Sequence, residues 1–146
     1  MNIESVESAV GWAAYYRQRF YLPAEERGGY VMLPVTNEVG FVHLPQPHAE
    51  RVLAALRDQQ TFVPVLARHI RWSFVTAIDC LPGRQMLDLL TRENICVPVV
   101  GSALMVPTSF GRWTREGSYW VIPPTRDRCL PLLSAIVTTA LSLSSR

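Results

Sequence analysis

Residues 4 to 20 place Val6, Ala9, Val10, Ala13, Tyr16 and Phe20 at three- and four-residue steps, the spacing of one helix face. Arg17 and Arg19 come late in the segment, where a helix C-terminus favours cations. This pattern predicts an amphipathic helix, closed off by Pro23 and Gly28-Gly29. The short apolar runs Tyr30 to Val35 and Val39 to Leu44, parted by Thr36-Asn37-Glu38, predict a hairpin. Pro47 suits a first helical turn, and Ala49, Val52, Leu53 and Leu56 then line one face of a helix ending near Asp58. Thr61 to Leu66 and Ile70 to Ala77 are β-rich runs around Ala67-Arg68-His69, and the second sets Ile70, Trp72 and Phe74 against Arg71, Ser73 and Val75. They predict a second hairpin. Gly83 precedes a short helix carrying Met86, Leu87, Leu89 and Leu90. Ile95 to Val100 and Ala103 to Val106 read as strands near a sheet edge, because Pro98 and Pro107 interrupt them. Ser118 to Ile122 is a further strand, and the charge-free stretch from Cys129 to Ser145 predicts a buried C-terminal helix.

The order αββαββαβββα predicts an α+β fold, a mixed β-sheet with covering helices, in a single domain over 1–146. That length supports one hydrophobic core of ordinary size. At 49% hydrophobic and 18% charged residues, the composition excludes a disordered chain. A net charge of +2 excludes a globally basic protein, so an anionic partner must be met by a local patch. All fourteen basic residues are arginine, a bias that suits the codon usage of a high-GC bacterium. The N-terminus carries neither a basic nor an apolar leader segment, which predicts a cytoplasmic protein. Cys80, Cys96 and Cys129, odd in number and set among apolar neighbours, are expected to be reduced core residues. The C-terminal stretch, with its proline, threonines and serines, falls short of the roughly twenty predominantly apolar residues of a spanning helix. Association with a membrane segment is the alternative to burial there.

Metal-dependent phosphoryl transfer needs converging carboxylates, and no Asp-x-Asp or Asp-x-Glu occurs in the chain. Glu4 with Glu7 and Glu25 with Glu26 read as solvated charge. His43 and His48 flank a strand-to-helix junction, without the i, i+4 helical geometry of a zinc pair. There is no Gly-x-Ser-x-Gly, and the absence of lysine excludes a P-loop. The sequence therefore predicts no catalytic residue, no metal site, no cofactor and no identifiable small-molecule substrate. What remains is arginine beside aromatic residues: Arg68, His69, Arg71 and Trp72 at one turn, then Arg112, Trp113, Arg115, Tyr119 and Trp120 in and after a loop. Arginine pairs with phosphates while aromatic rings stack on unpaired bases, so Arg68, Arg71, Arg112, Trp113 and Arg115 are the candidate nucleic-acid contacts. Trp72 and Trp120 lie on strands, where core packing explains them equally well.

The stretch Val99-Val100-Gly101-Ser102-Ala103-Leu104-Met105-Val106-Pro107-Thr108-Ser109, followed by Gly117-Ser118-Tyr119-Trp120-Val121, resembles the N-terminal domain of bifunctional primase/polymerases. Val31-Met32-Leu33-Pro34-Val35, then Gly40-Phe41-Val42-His43-Leu44-Pro45 and the helix around Val52 to Leu56, is similar to that domain's leading hairpin and helix. Small actinobacterial members resemble this chain in ending with a Pro-Pro segment and an apolar helix. Where the catalytic family has metal-binding aspartates on the early strand, this sequence has Gly40 and His43. The resemblance thus implies the scaffold without the polymerase centre, in the manner of accessory proteins of plasmid replication or plasmid spread.

Three functional readings follow. The first is a non-enzymatic accessory protein of an actinobacterial plasmid or mobile element, acting through contacts with single-stranded DNA or protein, with binding that weakens when Arg112 and Arg115 become alanine. The second is an interaction module whose apolar C-terminal helix docks on a membrane-bound plasmid transfer protein, so that the chain is membrane-associated through its partner. The third is a divergent nucleotidyltransferase using magnesium or manganese.

Overall fold

The computed structural model describes residues 8–144; Val6, Glu4 and Glu7 lie outside them. Helix α1 spans Ala9–Phe20, begun by Ser8, whose hydroxyl accepts the Gly11 N–H at 2.9 Å, and stopped by Tyr21 in the left-handed region at φ 59°. Its buried face is rotated from the expected one. Trp12, Ala13 and Tyr16 are buried while Val10 is 64% exposed, because the large rings gain more by burial than a valine does.

Strand β1 (Glu25–Arg27) was not expected from its charged sequence. It turns back through Gly28-Gly29, both at positive φ, onto β2 (Tyr30–Pro34). A two-residue Gly-Gly loop with two positive φ values matches the twist of an antiparallel pair, and charged residues keep such an edge from recruiting other strands. β2 continues to pair with β6 (Ala103–Val106), giving a three-stranded sheet, sheet A, in the order β1-β2-β6.

The expected hairpin between residues 30–35 and 39–44 does not form. Thr36 makes the turn, accepting the N–H groups of Glu38 and Val39 on its hydroxyl, yet β3 (Val39–Pro45) leaves sheet A and pairs with β5 (Arg71–Ala77). Val39 to Val42 are buried without a break, so β3 needs cover on both faces and cannot sit in a sheet with one solvated side. Sheet B has the order β3-β5-β4-β7, with β4 spanning Val65–Arg68 and β7 spanning Ser118–Ile122. All named pairings are antiparallel, so two antiparallel sheets stand where one mixed sheet was expected; the α+β class holds. The second hairpin, β4 with β5, forms, but Ala67 and Arg68 lie in the strand and the turn falls at His69-Ile70, while Thr61 to Pro64 stay outside it.

Helices α2 (Gln46–Asp58), α3 (Arg84–Arg92) and α4 (Leu133–Ser142) complete the chain order αβββαββαββα. One core lies on the helical face of sheet B: Val42, Leu44, Val65, Ala67 and Phe74 pack against Val52, Leu53 and Leu56 of α2 and Leu133, Ile136 and Ala140 of α4. The other lies between the opposite face, with Phe41, Leu66, Val75 and Trp120, and the layer formed by sheet A and α1.

Two further expectations are corrected. Residues 95–100 form no strand: Cys96 makes a single bridge to His43, and Pro98 has no N–H with which to continue the ladder. Cys80, Cys96 and Cys129 are free thiols, as expected, but exposed, since all three fall in connecting segments outside both cores. The apolar face of α4 packs into the first core, as expected, with Leu133, Ile136 and Ala140 at 1% exposure or less. Among the described residues, no helix is long and apolar enough to cross a membrane.

Candidate nucleic-acid interface

Arg68 is the last residue of β4, and its register partners are Arg71 on one side and Ser118 on the other. The β4–β5 turn and the loop entering β7 therefore leave sheet B at the same end. This brings the two arginine clusters, more than forty residues apart in sequence, to one rim of the molecule. Helix α2 also begins there, its Gln46 N–H donating to the Ile70 carbonyl at 2.7 Å.

The five candidate contacts fare differently at this rim. Arg68 and Arg71 are exposed, and Arg71 donates to Asn94 Oδ1 at 3.2 Å. Trp113 is 90% exposed, the most solvated large hydrophobic residue described. Arg112 lies over the Tyr119 ring, 4.8 Å from its centroid, beside a cavity of about 460 Å³ that Gln46, Glu50 and Trp72 also line. Arg115 is engaged within the chain. It stacks over Tyr30 at 4.7 Å, pairs with Glu116 at 3.0 Å and donates to the Gly29 carbonyl, so it ties the loop to the β1–β2 turn. Trp72 and Trp120, at 7% and 6% exposure, are core residues.

The loop at 107–117 is held from both ends. Glu116 accepts the Thr108 hydroxyl at 2.9 Å and its N–H at 3.3 Å; burial pushes this carboxyl up, but hydrogen bonds from Arg115 and Thr108 outweigh that and hold it below its ordinary value. Phe110 anchors the middle among Trp12, Tyr15, Tyr16 and Phe20. Beneath the loop, Tyr16 donates to the Pro107 carbonyl at 2.7 Å and accepts the Trp120 indole N–H at 2.9 Å, and burial pushes its phenol well above the usual range. Trp113 is thus displayed from a fixed base.

Sequence reasoning missed a polar pair inside sheet B. His43 and Ser73 are register partners, joined Nδ1 to Oγ at 2.7 Å. Burial, and then the charge of Arg71, lower the imidazole to about 4, so it is neutral at physiological pH. The available signal was a polar residue interrupting each apolar run, His43 between Val42 and Leu44 and Ser73 between Trp72 and Phe74. His48 lies elsewhere, bonded to the Ala140 carbonyl at 2.8 Å, where it ties α2 to α4. Among the described residues, no group of three or more His, Cys, Asp or Glu side chains is placed to hold a metal ion. No protein-family model, curated protein or solved structure matches the chain.

Proposed function

We propose that this chain is a cytoplasmic, non-enzymatic accessory protein that works by contact with single-stranded nucleic acid, in the maintenance or transfer of a mobile element such as an actinobacterial plasmid. One observation carries the contact: Arg68, Arg71, Arg112 and the solvated Trp113 come from two distant segments to one end of sheet B. Guanidinium groups neutralise phosphates there while an unburied indole offers a stacking surface that any base can use. Arg115 supports this set by fixing the loop. The primase/polymerase-like motifs supply the mobile-element setting, and the contact chemistry stands without them.

The test is an anisotropy titration of labelled oligothymidylate at stepped salt concentrations. Binding should weaken with salt, and Arg68→Ala or Arg112→Ala should each lower the slope of log K against log salt by about 0.7, the value for one single-strand phosphate contact. Absence of binding at low salt removes the reading.

A further inference from the structure

Directly opposed like charges destabilise an antiparallel pair, yet Arg68 and Arg71 face each other across the last rung of β4 and β5. Between them His69 adopts φ 53°, a backbone conformation usually left to glycine. Two local costs thus fall on one two-residue turn. Beside it, a cavity of about 300 Å³ opens on the face of sheet B turned toward sheet A, at the small end of the range for ligand sites. Ile70 and Leu104 give it apolar walls, His43 and Ser73 a polar floor, and no carboxylate lines it. Because His43 is neutral at physiological pH, the floor offers hydrogen bonds without adding charge. Ser118, opposite Arg68 in the register, has a buried hydroxyl with no hydrogen-bond partner among the described residues.

We propose that this cavity binds a nucleoside monophosphate, either free or as the 5′-phosphorylated end of a single strand, with the phosphate between Arg68 and Arg71 and the ring between Ile70 and Leu104. A terminal phosphomonoester carries close to two negative charges at neutral pH, which matches two guanidinium groups better than the single charge of an internal phosphodiester. The anion relieves the repulsion across the hairpin, and the apolar walls select an anion that carries a flat ring. The strand-end form rests on the interface proposed above; the free-nucleotide form does not.

The full chain is titrated against a 3′-labelled oligothymidylate bearing a 5′-phosphate, against the same strand with a 5′-hydroxyl, and against thymidine monophosphate by calorimetry. A preference of about tenfold for the phosphorylated end is expected, the size of one charge-assisted contact. It should vanish in Arg71→Ala and fall in His43→Gln and in Ile70→Ala. Ile70 is 77% exposed, so the last variant tests the wall without threatening the fold. Arg112→Ala should weaken both strands equally and keep the preference. Nucleotide binding without strand binding keeps the cavity and removes the interface. Equal affinity for the two strands, with no nucleotide binding, removes the cavity and keeps the interface. No binding by any probe removes both.

Discussion

The two faces of sheet B are closed in different ways. On one, α2 and α4 bring whole turns of aliphatic side chains onto Val42, Leu44 and Phe74, and the His48 hydrogen bond to Ala140 joins the two helices behind them. On the other, a three-stranded sheet and α1 cover Phe41, Leu66 and Val75 with rings, and the polar line from Pro107 through Tyr16 to Trp120 runs through the packing. Helices can interdigitate with the full breadth of a sheet, whereas strands of three to five residues cannot span it. Coverage on the second face therefore runs out toward the β4–β5 turn, where the cavity beside Leu104 opens. One face is built for closure, the other leaves room at its rim.

The largest break in this comparison is expected from the closed face. Phe74 is fully buried against the helices, and Phe74→Ala should cost about 3–5 kcal/mol by lost transfer energy and cavity formation. Urea denaturation should show a lower midpoint with an unchanged slope. A loss under 1 kcal/mol would mean that the helical layer collapses onto the gap and is softer than its packing implies.

Tyr16→Phe probes the other face without changing its volume. It removes one hydroxyl and leaves both the Trp120 indole N–H and the Pro107 carbonyl without their partner, at an expected cost of about 2–3 kcal/mol for buried groups. The same measurement applies. Near-ultraviolet circular dichroism should also change, because Tyr16 touches Trp12, Phe110 and Trp120. If Tyr16→Phe were neutral, the polar line would be incidental and the two faces would differ only in shape.

Local patterns were legible in the sequence to the extent that their partners lie nearby in the chain. Pro47 and the spacing of Val52, Leu53 and Leu56 give α2, and the β4–β5 hairpin follows from two β-rich runs about a short turn. Pairing between distant segments was not legible. Nothing local tells β2 to choose β6 over β3, since both candidate partners are apolar and the deciding factor is that β3 must be covered twice. Gly28-Gly29 suits a hairpin turn as well as a helix stop, and the charged residues before it suit a loop as well as an exposed edge, so β1 was not legible. The arginines could be named from composition, whereas their meeting depends on the Arg68–Ser118 register. The His43–Ser73 pair is a product of register in the same way.

Acid should separate the two faces as well. His43 has its proton affinity lowered from 6.5 to about 4 in the folded chain, so the unfolded chain binds more protons between those values. Stability is thus fully present above about 6.5 and falls as the pH drops toward 4, with a slope of at most about 1.4 kcal/mol per pH unit for one group. His43→Gln should flatten that window. The carboxyls of Asp79, which caps α4 through Ser134, and of Glu116 are held below their ordinary values, so their contribution is present above the ordinary carboxylate range and is lost as the pH falls through and below it. A wild-type profile that stays flat from pH 6.5 to 4 would show that the histidine is solvated and the cavity floor is not as closed as its packing indicates.

Trp113→Ala is expected to have the smallest effect on the fold, within about 0.5 kcal/mol, because a side chain 90% exposed has little contact to lose. Trp12, Trp72 and Trp120 are buried, so truncating any of them should destabilise; of the four tryptophans, Trp113 alone is free to act outward. Its fluorescence should be quenched by single-stranded oligothymidylate. The Trp113→Ala variant should keep its denaturation midpoint while losing affinity by about tenfold, near the lower end of what one base stacked on an aromatic ring supplies. Unchanged affinity would leave the rim a purely electrostatic surface of Arg68, Arg71 and Arg112. A lowered midpoint would show that the indole packs on the loop and that the open end of sheet B is better covered than its exposure implies.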